Sequence, residues 1–183
     1  MHIKYVKSEK IAKFIIKWKL LVSKYDLYFL YPPLTIVYTS PPMSEKMLKF
    51  VEIGQQNPPK RDKNSRKEDF NEIYSEFIKG KANEQSSRCS QCGVPFCQVH
   101  CPLSNNIPDW LKLTAEGRHE EAYQLSQSTN NMPEVCGRIC PQDRLCEGNC
   151  VIEQSGHGTV TIGSIEKYIT ETAWENGWVK PIK

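Results

Sequence analysis

All eight cysteines of this 183-residue chain lie between residues 89 and 150, about a third of its length. The first four are spaced C-x2-C-x4-C-x3-C: Cys89, Cys92, Cys97 and Cys101. The other four are spaced C-x3-C-x5-C-x3-C: Cys136, Cys140, Cys146 and Cys150. One cysteine of each group precedes a proline, in Cys101-Pro102 and Cys140-Pro141. Whatever these thiols bind therefore constrains the fold more than any other feature of the sequence.

Three kinds of chemistry use closely spaced cysteines. Disulfide frameworks are typical of small secreted domains, but the N-terminus has no compact apolar core with a small-residue cleavage site. Structural zinc sites usually pair one C-x2-C with a second short knuckle, which the second group lacks. Iron–sulfur proteins use C-x2-C followed by further cysteines and Cys-Pro. The spacing favours iron–sulfur clusters, and a zinc-stabilised interaction module stays open as an alternative.

The local sequence predicts how the first group is arranged. C-x2-C allows a tight turn to aim two thiolates at one cluster, and we expect Gly93 to supply the positive φ of that turn. His100 lies inside this group, and we expect it to pack near a cluster rather than bind it. Counting thiols alone makes Cys136 the eighth ligand.

Charge is distributed unevenly along the chain. Residues 1–42 contain seven lysines and two acidic residues, a net charge of +5, so the +3 of the whole chain leaves −2 for residues 43–183. Charged residues make up 25% of the chain and its mean hydropathy is −0.54. Because the basic surplus belongs to the first segment, nucleic-acid binding is not expected.

Residues 1–42 differ in composition from residues 43–183, which we interpret as the folded domain. Lysines and proline pairs interrupt the apolar residues of this leader, so no transmembrane helix is predicted and no membrane partner is expected. We predict a poorly structured extension, translated from upstream of a natural start at Met43 or Met47. A basic amphipathic helix on a membrane surface is the alternative for residues 8–25.

The fold class is predicted to be mainly α, a small helical domain with ordered cysteine-rich loops. Apolar residues at helical spacing predict four helices: residues 66–79, 108–115, 118–126 and 164–174. Ser65 is the expected N-cap of the first and Gly80 its stop. No strand pattern is long enough for a sheet. Because the predicted core is small, metal–thiolate cross-links are expected to stabilise the fold, and we expect residues 89–150 to be largely unfolded without metal.

No catalytic residue is predicted. The glycines between Gly156 and Gly163 do not form G-x-G-x-x-G after a strand, so this stretch is interpreted as a loop rather than a nucleotide site. Asp109, Glu120 and Glu121 are interpreted as charges at helix ends rather than acid–base groups.

Longer stretches of the sequence carry a family resemblance. They are RCSQCGVPFC at 88–97, HCPL at 100–103, NNIPDW at 105–110, TNNMP at 129–133, GRICP at 137–141, LCEGNC at 145–150 and VTIG at 160–163. From about residue 47 to its last residue, the chain resembles the N-terminal domain of the small (β) subunit of bacterial NADPH-dependent glutamate synthases. The same domain stands at the front of dihydropyrimidine dehydrogenase and related flavoprotein subunits.

The resemblance implies a helical domain that binds two [4Fe–4S] clusters. It implies that one cluster is held by Cys89, Cys92, Cys97 and Cys150, and the other by Cys101, Cys140 and Cys146. In the dihydropyrimidine dehydrogenase relative a side-chain amide completes the second cluster, and the aligned residue here is Glu166. We therefore expect Glu166, ahead of Cys136, as the eighth ligand. A carboxylate is a harder, anionic donor and is expected to lower the reduction potential.

The resemblance also implies a function. In that family, electrons from NADPH pass through FAD and the clusters to the large (α) subunit, where glutamate is made in the cytoplasm. FAD and NADPH bind to domains that follow this one, so the chain alone is not expected to be a complete enzyme. The alternative is the front of another NADPH-dependent flavin and iron–sulfur oxidoreductase, similar to dihydropyrimidine dehydrogenase or ferredoxin-NADP reductase.

Overall fold

A computed structural model of the chain describes residues 47–77 and 79–181. The predicted leader and its boundary with the helical domain lie outside the described residues. The described part contains a short 3-10 turn at Lys49–Val51 and eight α-helices. They are α1 Ser65–Glu68, α2 Lys79–Ser86, α3 Phe96–Val99, α4 Ile107–Ala115, α5 His119–Gln127, α6 Pro133–Ile139, α7 Val151–Gln154 and α8 Ile162–Glu175.

The prediction of a mainly α fold is confirmed. Within the described ranges, the β structure consists of one isolated antiparallel bridge, between Lys60 and Tyr74. The stretch from Gly156 to Gly158 is a loop, as predicted, and both of these glycines have positive φ, whereas Gly163, the end of the predicted loop, already lies in α8. None of the described helices is long and apolar enough to cross a membrane.

The longest helix, α8, forms the centre of the fold. Ile165, Ile169 and Ala173 lie at intervals of four on one face and are fully buried, which confirms the predicted apolar stripe. Helix α8 packs mainly on α6 and α5. At the α6 contact, a Cβ added to Gly137 would lie 2.8 Å from the backbone oxygen of Gly163, so the two helices approach closely because residue 137 is glycine.

Helices α4 and α5 form where the sequence predicted them. Pro108 stands in the first turn of α4, where its missing N–H costs no hydrogen bond. Gly117 ends this helix with φ +77, a left-handed conformation that glycine adopts without strain. The acidic side chains identified as helix-end charges lie in first turns, namely Asp109 in α4 and Glu120 and Glu121 in α5. The carboxylate of Glu121 accepts a 2.7 Å hydrogen bond from Arg118 Nε.

The predicted helix over residues 66–79 is wrong. Among its described residues before α2, only Ser65–Glu68 is helical, and the chain becomes extended at Asp69, with φ −145 and ψ 174. Both carboxylate oxygens of Asp69 accept hydrogen bonds from Arg61, from Nη1 to Oδ1 at 3.0 Å and from Nη2 to Oδ2 at 2.6 Å. The Ile73 carbonyl also accepts a hydrogen bond from the backbone N–H of Arg61. The segment therefore folds back on residues 59–61 and makes its hydrogen bonds there instead of within a helix.

The positions of the apolar residues explain this error. Phe70 is fully exposed and Ile73 is 46% exposed, whereas Phe77 is buried in the core. Helical spacing was present, but these residues do not share one buried face. Gly80, the predicted stop, lies inside the next helix, α2. Helix α2 has an almost entirely polar sequence, so periodicity alone gave no signal for it.

Candidate metal centre

One cavity is lined by thiols from both cysteine groups. They are Cys89, Cys92, Cys97 and Cys150. The loop after α2 carries Cys89 and Cys92, Cys97 is in α3, and Cys150 is the residue before α7. Apolar side chains complete the wall of this first cavity: Pro108, Leu111, Val151, Ile152, Val160 and Ile162, with Phe96 beside them. The free space at its centre is about 20 Å³, room for about one water molecule.

The turn between Cys89 and Cys92 differs from the prediction. The residue with positive φ is Gln91, at φ 52, and not Gly93. This conformation lets the backbone N–H of Gln91 donate to Cys89 Sγ at 3.5 Å. The side-chain Nε2 of Gln91 also donates, to Cys89 Sγ at 3.4 Å and to the carbonyl of Pro108 at 2.7 Å. Gln91 thus supplies two hydrogen bonds to one sulfur, a role that sequence reasoning missed.

Burial controls the protonation of these thiols. Burial, with a smaller contribution from the charges of neighbouring thiols, raises the pKa of Cys89 to about 11 and that of Cys97 to about 12. Without a cation the thiols of Cys89 and Cys97 are protonated near neutral pH. Metal binding at this cavity would therefore release protons.

A second cavity, of about 220 Å³, is lined by the other four cysteines. They are Cys101, Cys136, Cys140 and Cys146. Glu166, on the first half of α8, lines the same cavity together with the side chains of Leu103, Ile107 and Leu145. All eight cysteines of the chain are free thiols.

Glu166 is held by two amides inside the second cavity. Its side chain is only 6% exposed, and Oε1 accepts hydrogen bonds from Asn105 Nδ2 at 3.0 Å and Asn130 Nδ2 at 3.1 Å. Burial raises the pKa of Glu166 to about 7, although both hydrogen bonds lower it. Asn130 Nδ2 also donates to Cys136 Sγ at 3.3 Å. The structure therefore brings both candidates for the eighth ligand to one cavity, linked by one amide.

His100 lies outside the walls of both cavities. Its side chain is exposed, its Nδ1 lies 2.9 Å from the Phe96 carbonyl oxygen, and its ring stacks on that of Phe96. Within the described residues, no group of three or more His, Cys, Asp or Glu side chains is arranged to hold a single metal ion.

Each cavity is lined by cysteines of both groups. Three thiols of the first group and Cys150 meet at the first cavity, while Cys101 joins three thiols of the second group. Cys97 lies in α3 and Cys101 just after its end, and these consecutive cysteines of one motif line different cavities. Four thiols around a cavity are a suitable donor set for an iron–sulfur cluster.

Comparison with known proteins agrees with this donor set. The family described as dihydropyrimidine dehydrogenase domain II, 4Fe-4S cluster, matches residues 66–178. The glutamate synthase (NADPH) small chain of Azospirillum brasilense is 71% identical over 138 residues, 75% of this chain and 29% of that protein. The corresponding small chain of Escherichia coli is 51% identical over 136 residues, 74% of this chain and 29% of that protein.

A relative with a different name also matches. AegA of Escherichia coli, by name an oxidoreductase, is 49% identical over 115 residues, 62% of this chain and 17% of that protein. The chain thus spans less than a third of the length of these relatives. Because the family match covers more than half of the chain and includes all eight cysteines, this chain belongs to the family of the 4Fe–4S cluster domain, domain II, of dihydropyrimidine dehydrogenase.

Proposed function

We propose that this chain is the electron-transfer domain of a glutamate synthase small subunit and binds two [4Fe–4S] clusters. The main support for the proposal is that the eight cysteines line two separate cavities, four at each. In this proposal, Cys89, Cys92, Cys97 and Cys150 hold the first cluster. The second cluster is held by Cys101, Cys140, Cys146 and Glu166.

The residues around the first cavity suit a redox centre. A bound [4Fe–4S] cluster supplies a one-electron redox couple. Four thiolates on separate loops and helices fix the position of the cluster, and the apolar wall formed by Leu111, Ile152 and Val160 limits access of water. Hydrogen bonds from Gln91 to Cys89 Sγ stabilise negative charge on sulfur. Solvent exclusion and hydrogen bonds to sulfur both set the reduction potential.

The relatives support the identity of the electron donor and acceptor. The name of the Azospirillum relative contains both NADPH and glutamate synthase, and its identity over the aligned region is 71%. We infer that electrons reach the clusters from NADPH through FAD held elsewhere in the same subunit, and leave for the large subunit. A second candidate, the same domain serving a different acceptor, is favoured by the match to AegA.

The acceptor is tested with the purified full chain and a glutamate synthase large subunit. The chain is reduced with dithionite, freed of excess reductant and mixed anaerobically with the large subunit, glutamine and 2-oxoglutarate. We expect the clusters to be reoxidised and glutamate to form, with no reoxidation when 2-oxoglutarate is omitted. Clusters that stay reduced with all components present, although they are reoxidised by a chemical oxidant, would contradict glutamate synthase as the acceptor.

A further inference from the structure

The side chain of Arg88, the residue before Cys89, is completely buried. Its guanidinium nitrogens donate hydrogen bonds to four backbone carbonyl oxygens, those of Ile53, His157, Gly158 and Thr159. Three of these carbonyls belong to the loop between α7 and α8 and the fourth to the segment after the 3-10 turn. Through these hydrogen bonds, Arg88 connects its own segment, the segment after the 3-10 turn and the loop between α7 and α8, next to the first cavity.

The positive charge of Arg88 has no carboxylate partner among the described residues. An arginine side chain remains charged even when buried, and buried charges are normally paired with an opposite charge. The four carbonyl oxygens satisfy its hydrogen bonds but carry no net negative charge. Arg88 directly precedes Cys89, whose thiol lines the first cavity, and Glu153, a carboxylate that attracts it, is exposed. A full positive charge is thus held next to the first set of thiols.

The second cavity differs in its charged groups. The lining of neither cavity contains a lysine or arginine, but that of the second includes the buried carboxyl group of Glu166. The two cavities therefore have similar thiol sets but different fixed charges nearby: a buried cation at the first and a buried acid at the second.

We propose that Arg88 is the counter-charge of the first cluster and makes that cluster the easier of the two to reduce. This inference rests on the proposed function. A cluster held by four thiolates is an anion, and reduction adds one more negative charge. A buried cation stabilises that added charge strongly because little water screens it. In the two-cluster protein, one electron leaves the second cluster, which is oxidised, and arrives at the first, which is reduced, with no bond made or broken.

Three variants of the full chain separate the charge of Arg88 from its hydrogen bonds. Arg88→Met removes the charge and the hydrogen bonds, whereas Arg88→Lys keeps the charge and loses most of the hydrogen bonds. Arg118→Met is the matched control, because it removes an arginine charge whose side chain is 50% exposed and paired with Glu116 and Glu121. Each variant is purified anaerobically, assayed for iron and sulfide, and titrated potentiometrically with electron paramagnetic resonance detection.

We expect Arg88→Met to make reduction of one cluster at least tenfold less favourable, a shift of about −59 mV for one electron. The other cluster should keep its potential, and both Arg88→Lys and Arg118→Met should behave like the unaltered chain. Unchanged potentials in an Arg88→Met chain with full iron content would refute the inference and leave the proposed function intact. An equal shift in Arg88→Lys would also refute it, because the hydrogen bonds and not the charge would then set the potential.

If the Arg88→Met chain does not assemble clusters, a second measurement, which leaves Arg88 unchanged, tests the inference. In the otherwise unaltered chain, Cys97→Ser modifies a ligand of the first cluster and Cys101→Ser one of the second. Under stepwise reduction, Cys97→Ser should alter the resonance signal that appears first, and Cys101→Ser the later one. The reverse assignment would refute the inference. A preparation of the unaltered chain without iron and sulfide would instead refute the proposed function itself.

Discussion

Glu166 and Cys136 are the two candidates for the eighth ligand; both line the second cavity, and each accepts a hydrogen bond from Asn130 Nδ2. We expect Glu166→Ala to lose one cluster, about half of the bound iron, and Cys136→Ser to keep both. Iron and sulfide per chain measure this directly. Glu175→Ala, an exposed acid on the same helix, is the control and should keep both clusters. Loss of iron in Cys136→Ser with full iron in Glu166→Ala would reverse the assignment.

Several contacts at the residue scale were beyond prediction from the sequence. The cysteine spacing indicated iron–sulfur chemistry, but it did not indicate that Gln91, and not Gly93, takes the positive φ. The amides of Asn105 and Asn130 lie 61 and 36 residues from Glu166 along the chain. Hydrogen-bond partners so far apart are chosen by tertiary packing, for which one sequence carries no local signal.

At the element scale, the extended segment after α1 implies that two phenylalanines contribute differently to the stability of the fold. Phe70 and Phe77 belonged to one predicted helical stripe, yet Phe70 is fully exposed and Phe77 only 8% exposed. We expect Phe77→Ala to lower the free energy of unfolding by about 3–5 kcal/mol and Phe70→Ala by less than about 0.5 kcal/mol. Anaerobic urea titrations compare the two midpoints. Equal losses would mean that residues 66–79 form the amphipathic helix after all.

The close contact between α6 and α8 depends on Gly137. A Cβ at Gly137 would lie within 3.0 Å of backbone atoms of Gly163 and Lys167, so Gly137→Ala must push the helices apart. We expect a loss of about 1–3 kcal/mol in the free energy of unfolding. Gly80→Ala is the matched control because no atom lies within 4 Å of its added Cβ inside α2. That variant should gain about 0.5 kcal/mol.

Each of these two glycine variants can give a result that contradicts the structure described above. If Gly137→Ala unfolded at the same urea concentration as the unaltered chain, the close approach of α6 and α8 would be wrong. If Gly80→Ala were destabilised, Gly80 would be the left-handed helix stop that the sequence predicted.

The helices that were predicted well, α4, α5 and α8, have apolar stripes or proline and glycine at their ends. The polar helix α2 has neither, so only its packing against α4 and α8 defines it.

At the scale of the whole molecule, metal removal is expected to unfold the cysteine-rich region. Every thiol of the first cavity comes from a loop or short helix between residues 89 and 150. Because metal–thiolate bonds would hold these loops and short helices in place, we predict that chelation of iron removes protection from amide hydrogen exchange across residues 89–150. Hydrogen exchange followed by mass spectrometry measures this by segment. Unchanged protection of that region after complete loss of iron would contradict the prediction.

Each of the two cavities is proposed to hold a [4Fe–4S] cluster. The content of iron and acid-labile sulfide in the anaerobically purified full chain tests this, together with an electron paramagnetic resonance spectrum after dithionite reduction. We expect about eight irons and eight sulfides per chain, with signals from reduced [4Fe–4S] clusters. Zinc in place of iron, with no visible absorption and no resonance signal, would make the chain a structural module and contradict the electron-transfer function.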